Sequence, residues 1–126
     1  MNGYLLDTKA FLSVLDDVSR LSEAAQTVLP RENTRFYVSA ASFFEITVKK
    51  ALKKIKTPDN LPEIAIASGF DVMAITPEHA WKAGRLPFHH TDPYDRLLIS
   101  QAKIEGLTLI THNPIFAQYN IPILQA

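Results

Sequence analysis

Three acids in this chain have the type and setting to do chemistry: Asp7, Glu45 and Asp95. Asp7 ends the short apolar run Tyr4-Leu5-Leu6. Aspartate is a poor strand residue, and here it stands where such a strand would emerge. Its structural alternative is to cap a helix over Thr8–Leu15. Glu45 lies among Phe43, Phe44, Ile46 and Val48. It faces either solvent, paired with Lys49 one turn on, or a polar pocket. Asp95 follows Asp92-Pro93-Tyr94 in what reads as the first turn of a helix, where the dipole favours an anion. Asp92 itself reads as the cap of that helix. Each signal is weak alone. Together they suit a hard divalent cation such as Mg²⁺ or Mn²⁺, which takes oxygen ligands and needs only a few carboxylates. Without such an ion, clustered carboxylates repel and at least one is pushed towards its protonated form. With it, a bound water becomes more acidic and charge on a phosphodiester is stabilised. The chemistry indicated is phosphodiester hydrolysis, leaving 3′-hydroxyl and 5′-phosphate ends.

The elements that must position these acids alternate along the chain. Tyr4-Leu5-Leu6 reads as a buried first strand and Thr8–Leu15 as a helix. Ser22 caps a helix that Pro30 ends. Phe36-Tyr37-Val38 is a second strand. From Ala40 to Ile55, Phe44, Val48, Leu52 and Ile55 form a helical stripe. Thr57-Pro58-Asp59-Asn60 breaks it, and a short helix runs from Pro62 to Ala67 before Gly69. Val72–Ile75 is a third strand, and Thr76-Pro77-Glu78 starts a helix that ends near Gly84. After a loop over Leu86–Thr91, the helix opened by Asp92-Pro93 runs to Gly106. Leu107–Ile110 is the clearest strand, Asn113-Pro114 opens a short helix, and Ile121–Leu124 is an edge strand. Short apolar strands joined by helices predict an α/β fold with a parallel sheet covered on both faces. Ligands in such sheets bind beyond the carboxyl ends of the strands. That directs attention to Asp7, to Ser39–Ser42 and to Thr111-His112-Asn113.

Composition limits the alternatives. No cysteine is present, which excludes thiolate zinc sites and thiol nucleophiles. The longest apolar runs, such as Ile64–Ala67, fall far below the ~20 residues of a membrane span. No linker or repeat divides the chain, so residues 1–126 read as one domain with a cytoplasmic address and no export signal. Basic and acidic residues cancel overall. Residues 49–56 nevertheless hold five lysines and no acid, so the remainder of the chain is net acidic.

The motifs resemble a known family. Leu5-Leu6-Asp7-Thr8, then Val38-Ser39-Ala40-Ala41-Ser42-Phe43-Phe44-Glu45-Ile46 with Lys49, then His90-Thr91-Asp92-Pro93-Tyr94-Asp95-Arg96-Leu97-Leu98-Ile99-Ser100-Gln101-Ala102, and Thr111-His112-Asn113-Pro114-Ile115-Phe116 resemble PIN-domain ribonucleases. Among these, the chain looks most like VapC toxins of bacterial type II toxin–antitoxin modules. The resemblance spans essentially the whole chain, and Asp-Pro-Tyr-Asp-Arg-Leu-Leu is its most specific segment. It implies a three-layer α/β/α domain with a central, mainly parallel sheet. It also implies Mg²⁺- or Mn²⁺-dependent cleavage of structured RNA (tRNA, rRNA or mRNA), a cognate antitoxin partner and a homodimer. Residue by residue, Asp7, Glu45 and Asp95 match the acidic ligands, with Thr8 and Ser42 as polar neighbours and Thr111 after the late strand. One departure stands out. Where many members carry a fourth acid, this chain has Asn113. Its carbonyl oxygen could still ligate, or Asp92 could compensate.

Lys49, Lys53 and Arg96 are candidates for RNA phosphate contacts, against the plainer readings of a solvated helix face and an Asp95–Arg96 pair. His89, His90 and His112 lack a zinc-binding spacing and read as partners of a carboxylate or loop carbonyl. Trp81 and Phe88 read as core or dimer surface, and Phe43 and Phe44 as core or a pocket for an antitoxin helix. Two competing functions follow. One is a weakened PIN-like module that binds RNA or a protein without cleavage, which Asn113 suggests. The other is an aspartyl phosphatase, which would want an acid where Lys9 stands.

Overall fold

The computed structural model describes residues 3–126. Strand β1 (Gly3–Leu6) leads into α1 (Thr8–Asp16), a single 3-10 turn at Val18–Arg20 and α2 (Glu23–Val28). Then come β2 (Arg35–Ser39), α3 (Ala40–Ala51), α4 (Leu61–Ala67), β3 (Asp71–Met73) and α5 (Pro77–Gly84). Helix α6 (Pro93–Glu105), β4 (Thr108–Thr111), a 3-10 helix at Pro114–Tyr119 and β5 (Ile123–Gln125) complete the chain.

The five strands form one sheet in the order β3-β2-β1-β4-β5, and every pairing is parallel. The mainly parallel expectation is thus met in full. Successive strand residues point to opposite faces, so Leu6 and Ile110 enter one core while Leu5 and Leu109 enter the other. Phe11 of α1, Ala25 and Val28 of α2, and Leu61 and Ala65 of α4 cover the first face. Leu98, Ile99 and Ala102 of α6, with Phe116 and Tyr119 of the 3-10 helix, cover the second. These are the three layers expected. Each fully buried Leu, Ile or Phe contributes roughly 1.5–3 kcal/mol. Among the described residues, no helix is long and apolar enough to cross a membrane.

Register brings the chemistry to one edge. Leu6 pairs with Val38 on one side and Ile110 on the other. The residues that follow, Asp7, Ser39 and Thr111, therefore share the carboxyl edge of the three central strands. The Asp7 amide donates to Ile110 O at 3.0 Å, which holds that level.

Three expectations need correction. Helix α3 does not bury the Phe44/Val48/Leu52/Ile55 stripe: Phe44 is 60% and Leu52 61% exposed. Its buried face is Ala41, Ser42, Glu45 and Ile46. Apolar counting chose the wrong side because two polar residues occupy the inner one. Second, α3 stops at Ala51 rather than Ile55. Lys53 turns left-handed at φ 60°, the Lys54 amide donates to Lys49 O (2.9 Å) and the Lys53 amide to Lys50 O (3.0 Å). This is a Schellman closure with lysine where glycine is usual. Third, β3 covers Asp71–Met73 rather than Val72–Ile75, because pairing with Tyr37, Val38 and Ser39 sets its limits.

Helix α6, which carries Asp95, is fixed against α5 by a polar pin. The Thr76 amide donates to Nδ1 of buried His79 (3.0 Å), so His79 Nε2 carries the proton and faces Glu105 Oε2 at 2.8 Å. The Ser100 hydroxyl donates to His79 O at 2.9 Å.

Candidate functional site

Asp7 serves the fold and the site together. As N-cap of α1 it accepts the Ala10 amide on Oδ1 (2.8 Å). Its other oxygen, Oδ2, accepts the Thr111 hydroxyl at 2.6 Å. Thr111 is in place because β1 and β4 are paired in register, and its oxygen also accepts the Asn113 amide at 3.0 Å. Burial pushes the Asp7 carboxyl above its ordinary pKa. The Thr111 and Ala10 hydrogen bonds and the His112 charge pull it down, while Glu45 pushes it up.

Glu45 reaches inward from α3 towards the start of α1. The Thr8 hydroxyl donates to Glu45 Oε1 at 2.6 Å, and the Thr8 and Ser42 oxygens are 2.9 Å apart. On the outer side, Lys49 Nζ donates to Glu45 Oε2 at 2.6 Å. The predicted Glu45–Lys49 pair and the predicted polar pocket are therefore both present. The hydrogen bond to Glu45 raises the pKa of Lys49 most, against some burial, and the charges of Asp92 and Asp95 add to the rise.

Asp95 stands in the first turn of α6. Asp92 caps this helix by accepting the Asp95 amide on Oδ1 at 2.9 Å. His90 Nε2 lies 2.8 Å from Asp95 Oδ2, as expected of a histidine beside a carboxylate. Burial pushes the Asp95 carboxyl up to about 6. The His90 hydrogen bond opposes this, and the charges of Asp92 and Glu45 reinforce it. Glu45 thus influences both Asp7 and Asp95.

Arg96 contradicts its assignment. It is 4% exposed, and its guanidinium donates to Leu86 O (2.8 Å), Pro87 O (3.0 Å), His90 O (3.0 Å) and Gly84 O (3.4 Å). It also lies 4.1 Å from the centre of the Phe88 ring. It neither pairs with Asp95 nor can reach a phosphate. The loop after α5 has no ladder partners for its carbonyls, and a five-donor side chain one turn into the next helix satisfies them. Tyr119 adds a second hold that the sequence did not announce: it accepts the His90 amide (2.8 Å) and donates to Pro87 O (2.7 Å).

The other candidates fall outside this group. Asn113 caps the 3-10 helix, and its Oδ1 accepts the Ile115 amide at 3.1 Å. Lys53 is exposed beyond α3. Trp81 and Phe88 are 71% and 74% exposed, so neither belongs to the core of the chain. Phe44 is equally surface-borne, stacked edge-on against Tyr94.

The donor chemistry fits a hard divalent cation: Asp7, Glu45 and Asp95 are carboxylates from distant segments of the chain. These three carboxylates do not gather around one point. Among the described residues, no three His, Asp or Glu side chains lie close enough to hold an ion. Each of these acids is turned to a hydroxyl, ammonium or imidazole partner.

Comparison with known proteins agrees with this architecture. A sequence model of the PIN domain family matches residues 4–122. No curated protein matches the chain in sequence. The fold is similar to VapBC2 from Rickettsia felis bound to a promoter DNA fragment (TM-score 0.69, 18% identity, 97% of each chain covered). It is also similar to DNA-bound VapBC from Salmonella typhimurium (TM-score 0.69, 20% identity, 98% of each chain). VapBC-1 from nontypeable Haemophilus influenzae gives a TM-score of 0.68 at 17% identity, covering 98% of this chain and 97% of that one.

Proposed function

The chain belongs to the PIN domain family, and on that premise we propose that it is a metal-dependent endoribonuclease, the toxin of a type II toxin–antitoxin module. What carries this reading is the PIN domain match over residues 4–122, supported by the buried acids Asp7, which follows β1, and Glu45 of α3, which accepts from Thr8 next to Asp7, and by Asp95 in the first turn of α6. The substrate class is structured RNA, and the ion is Mg²⁺ or Mn²⁺. Held by Asp7, Glu45 and Asp95, it would neutralise the acids and stabilise charge on a phosphodiester under attack.

The chain's own residues prepare this. The hydroxyls of Thr111 and Thr8 orient Asp7 and Glu45. With a pKa of about 6, Asp95 is largely ionised at neutral pH. Lys53 is a candidate for phosphate contact from the helix end, and Arg96 is withdrawn from that role. A cognate antitoxin and a second copy of the chain are the partners, with exposed Trp81, Phe88 and Phe44 as apolar surface available to them.

The test is cleavage of total RNA or tRNA by the purified chain freed of antitoxin, with Mg²⁺ or Mn²⁺. Asp7→Asn, Glu45→Gln and Asp95→Asn should each lower the rate by at least about 100-fold, and EDTA should do the same. A wild-type protein as inactive as these variants would leave the second reading, a PIN-fold module that binds without cleaving. Asn113 favours that alternative, because an amide committed to the Ile115 N–H replaces a fourth acid.

A further inference from the structure

The sequence offers Lys49 as an RNA contact, yet its ammonium is directed towards buried Glu45. It lies 2.6 Å from Glu45 Oε2, while the other Glu45 oxygen is engaged by Thr8. An ordinary i,i+4 pair has both ends in solvent. Here the glutamate side chain is 7% exposed, and the lysine, 43% exposed, approaches it from the open side. The charges of Asp92 and Asp95, at the start of α6, add to the rise in the Lys49 pKa. Arg96, the other permanent cation adjoining these acids in sequence, is committed to the carbonyls of the 84–90 loop.

A lysine ammonium and a hard divalent cation seek the same atom, a carboxylate oxygen, at hydrogen-bond and coordination distance respectively. Two positive charges on one carboxylate repel. Ligation through Glu45 Oε2 therefore works against the Lys49 bond, and the half-exposed lysine stem leaves the ammonium free to withdraw towards solvent.

We propose that Lys49 is a positioning residue that acts as a tethered competitor for the Glu45 carboxylate, so that a divalent cation binds this site only by displacing its ammonium. This rests on the divalent-cation reading above. The consequence is a built-in threshold: Lys49 keeps the acids compensated and lowers the affinity of the site for metal.

The test is titration of the full chain with Mn²⁺, followed by calorimetry and by the electron paramagnetic resonance signal of free Mn²⁺. Lys49→Gln, which keeps the stem and removes the charge, should bind Mn²⁺ about fivefold more tightly, the factor to which an ion pair of about 1 kcal/mol converts. Lys49→Arg keeps the charge and should bind as wild type does. Lys50→Gln should also match wild type, because Lys50 pairs with Asp59 and the Thr57 carbonyl instead. In a Glu45→Gln background, Lys49→Gln should give no gain. Unchanged or weaker binding in Lys49→Gln, or equal tightening in Lys49→Arg, overturns the competition while leaving the metal reading intact. If neither wild type nor Lys49→Gln takes up Mn²⁺, the metal reading fails and the competition fails with it.

Discussion

The acids Asp7 and Glu45 and the acid Asp95 are held by opposite kinds of structure. Asp7 and Glu45 receive short hydroxyl bonds from Thr111 and Thr8, residues fixed by sheet register and by the start of α1. Their positions follow from the apolar cores on either side of the sheet. Asp95 instead faces His90, a residue of an irregular loop. That loop has few buried apolar side chains and depends on polar ties to Arg96 and Tyr119. The contrast shows two ways to keep a carboxylate in place beside others. One builds it into regular structure, and the other suspends it from a network that a single side chain organises.

Removing that organiser should produce the largest effect. Arg96→Met leaves the Gly84, Leu86 and His90 carbonyls without their guanidinium donor in a buried setting, while Tyr119 still donates to Pro87 O, at a cost of about 3–5 kcal/mol. Urea unfolding should show the loss, and amide exchange should quicken first over residues 85–92. Arg96→Lys should recover only part, since an ammonium has fewer donors and no planar fork. A cost below about 1 kcal/mol would mean that Tyr119 alone suffices and that the contrast is overstated. On the sheet-borne side, Thr111→Val deletes one donor to a buried carboxylate and should cost about 1.5–3 kcal/mol. It should also raise the Asp7 pKa further, as carbon-13 NMR of that carboxyl would report, while His90 and Asp95 stay undisturbed.

These two sides were not equally legible in the sequence. Asp7, Thr8, Ser42 and Thr111 were readable because each follows an apolar strand or opens a helix, and such positions lie at the carboxyl edge of any parallel sheet. Helix α3 shows where that reading fails. Its apolar stripe pointed to Phe44 and Leu52, whereas the inner face carries Ser42 and Glu45, since a polar site inverts the rule that the apolar side faces in. Arg96 failed for a different reason. Its neighbour in sequence is Asp95, and charge pairing is the first inference from such adjacency. Its actual partners are backbone carbonyls, which every sequence contains and none displays. The same limit hid Tyr119 and the His79 pin. Lys53 in a left-handed turn was also beyond a residue-type argument, which expects glycine there.

The smallest expected effect discriminates best between the two arrangements, because its sign changes from one acid to the other. The folded-state pKa of Asp95 is about 6, against an ordinary 3.8, with burial as the largest cause. A folded state that holds its proton more tightly than the unfolded chain loses stability as pH rises through that window. The penalty is absent below about pH 4 and complete above about pH 7. Asp95→Asn removes the ionisation and still offers His90 an oxygen. In EDTA it should raise Tm by a few degrees at pH 7.5, corresponding to roughly 1 kcal/mol, and the gain should shrink towards zero as pH falls to 4.5. Asp7→Asn should do the reverse. Both Asp7 oxygens accept hydrogen bonds, from Ala10 N and from Thr111, and an amide offers only one acceptor, so one donor is left unmatched. Its Tm at pH 7.5 should fall by a comparable amount despite the raised Asp7 pKa. Thermal melts at both pH values check the pair. Equal shifts for Asp95→Asn at pH 4.5 and 7.5 would show that charge is not what the loop-borne side contends with.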